Sequence, residues 1–306
     1  MARATPRGAR GTEPRSTIRE LQLVRNEFHA AKKQLVGEGP VTGALPDFLI
    51  IGGKKCGTSS LYHLLTRHPH VKPAASKQPH FLESHSDLDV EWWYTKEVHF
   101  FDKHFDLGIE WYRGWFPEAK WKDGRRTITG EATPAYLFYP CVPARVAEVV
   151  PQARLIALLR NPIDRAYSDY QQRVRQGREP RTFDETVAEA LEAGVTWPPR
   201  NLDETRHLGD LPRSVYVDQL VNWSKFFPKK KMLVLKSEDF FERPKQILRA
   251  VLGFLGLPDW EPQAREVVNK GTYEGDIDPA TRRTLEQYFG PHNRRLYDYL
   301  GTDFGW

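Results

Sequence analysis

Six residues, Gly52-Gly53-Lys54-Lys55-Cys56-Gly57, place three glycines and two lysines between an apolar run and the hydroxyl trio Thr58-Ser59-Ser60. Glycine lets a backbone turn tightly and present its N–H groups, lysine adds positive charge, and serine and threonine add donors. Phe48 to Gly52 reads as a strand, and a helix is predicted from Thr58 or Ser59 to Arg67. A strand, a glycine turn and a helix N-terminus make a cradle for an anion: N–H groups converge there and the helix dipole favours negative charge. The order is not that of an ATP or GTP loop, whose lysine follows the last glycine as Gly-Lys-Ser/Thr. Here Lys54 and Lys55 come before Gly57. An ordinary strand-to-helix turn needs one glycine, so this composition points to a bound phosphate-like group. The candidate ligands are Lys54, Lys55, Cys56, Gly57, Thr58, Ser59 and Ser60.

Two further groups could do chemistry. Lys96-Glu97-Val98-His99-Phe100-Phe101 reads as a short strand with alternating faces, which puts Glu97 and His99 on one side. A positioned, partly desolvated carboxylate has a raised pKa and can act as a general base, with His99 orienting it or the acceptor. The competing reading makes Glu97 a salt-bridge partner of Lys96 or Lys103. The second group is Arg160 and Ser168. Arg154 to Leu159 is an apolar run of the buried parallel-strand type, and Asn161-Pro162 opens a helix that can reach Gly177. Ser168 then lies about two turns along that helix, so both side chains can face the C-terminal edge of a sheet, where open α/β folds bind ligands. Arg165 reads as a structural ion-pair partner.

These residues need a sheet to hold them. The chain has 306 residues, 40% hydrophobic, enough for one large α/β domain. Arg126 to Ala132 and Lys231 to Lys236 read as further strands. Helices are expected over 108–116, 142–149, 183–193, 214–226 and 244–255, and as a broken pair over 279–289 and 291–300. Strands alternating with helices imply an α/β fold with a P-loop-like, mostly parallel central sheet flanked by helices on both faces. Residues 1–15 carry four arginines and one acid and read as a disordered basic arm; residues 16–306 read as a single domain, with an amphipathic helix over 17–35 packing on it. Residues 74–93 read as a long loop at the mouth of a site.

Composition narrows the function. A net charge of +5 suits an anionic ligand and falls short of a nucleic-acid-binding chain. No apolar run has the length of a membrane helix, and no apolar segment follows the basic N-terminus as in a secretory signal. Two cysteines imply no disulfide framework, and Cys56 reads as a small residue suited to a tight turn. His68 and His70 have no carboxylate or cysteine at ligand spacing, so no metal is expected. The lysine-rich run 225–231 reads as a solvated turn. Among nine tryptophans, Trp92, Trp93 and Trp197 fall in expected loops and are candidate cleft walls.

Four separated motifs agree in order and spacing: Gly52 to Ser59, Lys96 to Asp102, Leu159 to Tyr170, and Asn269-Lys270-Gly271. Together they resemble the carbohydrate sulfotransferases of the heparan sulfate type that use 3′-phosphoadenosine 5′-phosphosulfate (PAPS), closest to the N- and 3-O-sulfotransferase branch. The resemblance implies transfer of a sulfuryl group from PAPS to a hydroxyl, or as second choice an amine, of a carbohydrate acceptor, without a metal and leaving 3′,5′-adenosine bisphosphate. It implies that Lys55 lies near the bridging oxygen of the phosphosulfate and that Glu97 is the base. It puts Arg160, Ser168, Lys270 and Gly271 around the 3′-phosphate. Two departures stand out. Ala132 in Glu131-Ala132-Thr133-Pro134 replaces a lysine that often lines the family's transfer site, and the paired cysteines of secreted animal members are missing. A cytoplasmic protein is therefore expected, with a lumenal catalytic domain lacking its anchor as the alternative. The rival functions are a small-molecule or natural-product sulfotransferase, a nucleotide kinase of related fold, and a PAPS-binding scaffold.

Overall fold

Five short strands line up side by side in the computed structural model, which describes residues 43–74, 96–194, 196–198, 210–262 and 275–306. They are β1 (Phe48–Gly52), β2 (Val71–Pro73), β5 (Ile128–Ala132), β6 (Arg154–Leu159) and β7 (Met232–Lys236), in the order β2-β5-β1-β6-β7, and every pairing is parallel. β3 (Trp121–Lys122) and β4 (Arg125–Arg126) form a separate antiparallel hairpin. The helices are α1 (Thr58–Thr66), α2 (Phe100–Lys103), α3 (Gly108–Arg113), α4 (Val142–Val149), α5 (Pro162–Arg175), α6 (Phe183–Glu192), α7 (Asp210–Arg213), α8 (Tyr216–Ser224), α9 (Ser237–Glu242), α10 (Pro244–Leu255) and α11 (Pro279–Leu300). These residues belong to one compact unit, Pro40–Trp306. The basic arm 1–15, the helix expected over 17–35, most of the loop 74–93 with Trp92 and Trp93, and Lys270 and Gly271 lie outside the described residues.

The sheet forms where apolar runs are long enough to be covered on both sides. β1 is buried along its whole length, and so is β6 after Arg154. Phe48, Ile50, Ile156 and Leu158 point to one face, where they pack with Leu61 and Leu65 of α1 and with Val251 and Leu252 of α10. Leu49, Ile51, Leu155, Ala157 and Leu159 alternate with them and are buried equally, as a parallel sheet requires. Each such side chain contributes about 1.5–3 kcal/mol by leaving water.

α5 shows how sequence sets an element's start. Pro162 occupies the first turn, where its missing N–H costs nothing, and the Asn161 side chain accepts from Ile163 N at 3.0 Å and Asp164 N at 3.4 Å.

Three expectations need correction. Residues 96–101 are not a strand: His99 takes a left-handed backbone (φ 58°) and α2 begins at Phe100. Side-chain bonds from Lys96 and Glu131, described below, override the alternating pattern. The strand expected over 126–132 starts at Ile128, because Arg125 and Arg126 turn back around Asp123-Gly124 (φ 48° and 74°) to pair with Lys122 and Trp121. The C-terminal pair is one 22-residue helix, α11, with Pro291 inside it. Gly290 precedes that proline and lacks the Cβ that would crowd its ring, which removes one of the steric conflicts a proline makes inside a helix.

Candidate active site

Strand register brings the predicted groups to one edge. Ile50 lies beside Ala132, Gly52 beside Ala157, and Leu159 beside Lys236. The glycine-lysine loop after β1, the Thr133 turn after β5, Arg160 after β6 and Ser237 after β7 therefore all leave the sheet at its C-terminal end.

The loop is pinned from below. Gly53 N donates to Leu158 O at 2.6 Å, Cys56 N donates to Gly53 O at 3.1 Å, and Ser237 Oγ donates to Cys56 O at 2.7 Å. Two glycines are required by space. A Cβ on Gly52 would stand 2.5 Å from Leu137, and one on Gly57 would stand 2.9 Å from the Phe241 ring, at a φ of 87°. Lys55 holds a left-handed φ of 70°, unusual for a residue with a Cβ. Gly57 caps α1 without a side chain to accept the first N–H groups, and the first turn holds no acid. Those features fit an anion at this point. Ser59 and Ser60 are partly exposed, whereas Thr58 is buried. Cys56 is fully buried with Sγ 3.9 Å from Tyr216 Oη, and burial pushes its thiol pKa up, as suits a packing residue. Lys54 makes an ion contact of 2.7 Å with Asp169 on α5.

Arg160 is partly buried, and its backbone is held on both sides. Tyr216 Oη donates to Arg160 O at 3.0 Å, and Asn161 N donates to Glu238 Oε1 at 2.8 Å. Ser168 lies buried on α5. Arg165 is a structural partner as expected: its Nε donates to Ser214 Oγ at 2.5 Å and its Nη1 to Asp169 Oδ2 at 3.4 Å.

Glu97 and His99 do come together, though by a turn rather than a strand. His99 Nε2 is 3.3 Å from Glu97 Oε2, and His99 Nδ1 is 2.9 Å from Asp102 Oδ2. Lys96 Nζ, fully buried, donates to Glu97 Oε1 at 2.7 Å and to Ala132 O at 3.3 Å. Beneath them lies Glu131, also fully buried. It accepts from Tyr112 Oη and Thr133 Oγ1 at 2.6 Å, from Tyr136 Oη at 3.1 Å and from Val98 N at 3.2 Å. Glu131 thus ties the 97–99 turn to the end of β5. Burial pushes its pKa up against those hydrogen bonds. For Glu97 burial also acts upward, but the Lys96 ammonium and His99 outweigh it and hold the carboxyl far below its usual range. The expectation of a raised Glu97 pKa is thereby corrected. Burial acts downward on His99, and Asp102 with Glu97 overcomes it and raises the pKa.

Asp102, Glu131, Tyr216 and Glu238 were not among the predicted site residues. Asp102 was legible as an acid three residues after His99 at a helix start. Other expectations resolve simply. His68 Nε2 meets Pro258 O at 3.3 Å and His70 Nε2 meets Lys122 O at 3.2 Å. Lys229 and Lys231 donate to Tyr299 O and Pro151 O at 2.8 and 2.7 Å, which anchors the lysine-rich turn. Trp197 Nε1 donates to Phe138 O at 2.7 Å.

A parallel α/β sheet with a glycine-lysine loop, an arginine and a carboxylate-histidine pair at its C-terminal edge places these groups where open α/β folds bind ligands. The sulfotransferase domain family matches residues 45–275, and the chain belongs to that family. The human heparan sulfate glucosamine 3-O-sulfotransferase 3B1 is 28% identical over 86% of this chain. The mouse heparan sulfate glucosamine 3-O-sulfotransferase 6 is 29% identical, covering 89% of this chain and 76% of that protein. The chain spans 65% and 62% of the length of the human 3B1 and 3A1 proteins. Among solved structures, a sulfotransferase from Alicyclobacillus acidocaldarius is 27% identical, with a TM-score of 0.62 over 85% of this chain and 98% of that one. No helix among the described residues is long and apolar enough to cross a membrane.

Proposed function

We propose that this protein transfers the sulfuryl group of PAPS to a hydroxyl of a carbohydrate acceptor. The observation that carries the reading is the meeting, at one sheet edge, of a lysine-bearing anion loop with the Glu97–His99–Asp102 cluster. The loop composition and the uncapped start of α1 fit the phosphate end of such a donor. When bound, PAPS supplies the sulfuryl group and departs as 3′,5′-adenosine bisphosphate.

The chain's own residues divide the work. Glu97 takes the proton from the acceptor hydroxyl as its oxygen bonds to sulfur. Lys55 stabilises the charge that develops on the phosphate oxygen as the sulfur–oxygen bond breaks. Arg160 and Ser168 bind the 3′-phosphate, with Lys270 and Gly271 closing over it by family resemblance. His99, gripped by Asp102, holds the Glu97 carboxylate in place. Lys96 keeps that carboxylate ionised throughout the neutral range.

The heparan sulfate relatives favour a polysaccharide acceptor, and an amine is the second choice of nucleophile. The two described cysteines are unpaired, one buried and one exposed, which supports a reducing compartment. An acceptor screen with radiolabelled PAPS across glycans, phenols and lipids tests the reading. Label in a desulfated heparan polysaccharide supports it. Label only in phenols or lipids would move the protein to the small-molecule branch, and bisphosphate binding without transfer to any acceptor would make it a scaffold.

A further inference from the structure

We propose that Lys54 and Asp169 are positioning residues: their ion pair braces the anion loop against α5 and fixes the spacing between the two phosphate-binding ends of the nucleotide site. The proposal rests on the reading of that nucleotide as one with separate 5′ and 3′ phosphate groups.

Lys54 belongs to the loop after β1 and stands next to Lys55. Asp169 belongs to α5 and stands next to Ser168. The contact between their charged atoms, at 2.7 Å, therefore joins the element that receives the 5′ end to the element that receives the 3′ end. Asp169 has 4% of its side chain exposed, and its second oxygen takes Arg165 Nη1 at 3.4 Å. Arg165 is buried in turn and fixed through Nε on Ser214. The carboxylate thus sits between two cations, and the trio carries a net positive charge.

The trio removes an obstacle and adds a benefit. A bare carboxylate beside Ser168 would repel a phosphate, whereas one shared by two cations does not. Asp169 also places a counter-charge 3.4 Å from the buried Arg165 guanidinium. Because the brace forms within the protein itself, a nucleotide meets two ends already set at their working distance, which lowers the ordering cost of binding. Lys54 serves the nucleotide through Asp169, while Lys55 remains the residue of direct contact.

The two roles separate by experiment. A ligand that engages one end is indifferent to the spacing, and a ligand that spans both ends is not. Lys54→Met keeps the aliphatic stem and removes the charge. Calorimetry on the full chain would compare 3′,5′-adenosine bisphosphate with 5′-AMP. The brace predicts about a tenfold loss for the bisphosphate and less than twofold for 5′-AMP, within the usual range of coupling between contacting residues. Lys54→Arg should restore the ratio. Asp169→Asn also disturbs the buried Arg165 contact and can unfold the protein, so Lys54→Met carries the test; its melting temperature should stay close to that of the parent because Lys54 is half exposed. Equal losses for both nucleotides would assign Lys54 to direct phosphate contact and overturn the brace. Unchanged affinities would overturn it as well. A parent protein with no preference for the bisphosphate would instead overturn the nucleotide reading beneath it.

Discussion

Glu97→Gln separates catalysis from structure at the centre of the site. The parent carboxylate lies 2.7 Å from the buried Lys96 ammonium and 3.3 Å from His99 Nε2. Glutamine keeps one acceptor for Lys96 but cannot take a proton. Loss of a general base removes about 10²–10⁴-fold in rate. The Lys96 ammonium and His99 hold this carboxylate down as a weak base, so the expected loss is about 10²–10³-fold. Breaking a fully buried pair costs about 3–5 kcal/mol, but a third of the Glu97 side chain meets water, which brings the expectation to about 1–2 kcal/mol. The sign with pH follows from the depressed Glu97 pKa. Its stabilisation is complete above the unfolded value of about 4.3 and is lost as pH falls below it. Parent and variant should therefore differ in stability at pH 7, and the difference should shrink progressively as pH falls below about 4.3 towards the far lower folded value. Transfer from radiolabelled PAPS, bisphosphate affinity and urea unfolding at both pH values would be measured on one preparation. Activity within a few-fold of the parent would show that Glu97 is not the base and move the role to His99. Loss of bisphosphate affinity together with more than about 4 kcal/mol of stability would mean that the Lys96–Glu97 pair is structural alone.

Three other outcomes follow from the same geometry. Asp102→Asn removes the main group that raises the His99 pKa, so the histidine, followed by NMR, should titrate at a lower pH than in the parent. The stability held by its proton, present below about pH 6.5 and lost as pH rises through the folded value, should then vanish at lower pH; an unmoved titration would refute the pairing. Gly57→Ala forces a Cβ to within 2.9 Å of the Phe241 ring at a positive φ, and should cost about 1–2 kcal/mol by urea unfolding and weaken bisphosphate binding; a neutral result would mean the loop is not held as described. Glu131→Gln turns an amide donor towards the Tyr112 and Tyr136 hydroxyl donors in a buried site, and should cost about 1–3 kcal/mol and lower kcat more than it changes KM, because the network that anchors the 97–99 turn is disturbed.

Much of the scaffold was legible because its signals are local. β1, α4, β6 and α10 begin and end where apolar runs meet glycine, proline or a polar cap, and the expected bounds match the observed ones. The exceptions have non-local causes. Residues 96–101 carry a strand-like pattern, but Lys96 reaches Ala132 O, Val98 N reaches Glu131, and no period within the segment encodes those bonds. The break expected at Pro291 ignored the relief offered by Gly290. That Glu97 and His99 come together and that Arg160 follows β6 was legible from residue type and position. Asp169 as the partner of Lys54 was not, because that ion pair joins two elements far apart in the chain.

The replacement of lysine by Ala132 looked like a deficit at the transfer edge, and the geometry supplies a different account. Lys96 Nζ lies 3.3 Å from Ala132 O, so an ammonium stands at this edge even though residue 132 brings none. That placement has a consequence for the chemistry. The same ammonium lies on Glu97 and lowers its basicity, so if Glu97 is the base, as proposed, its contribution has to come from position and charge placement more than from proton affinity. Transfer of a phosphoryl group, with its loose transition state, makes the same demand on its enzymes. On the proposed reading, a base held ionised by Lys96 and oriented by a histidine paired with Asp102 meets that demand, with Lys96 fully buried and Glu97 one-third exposed.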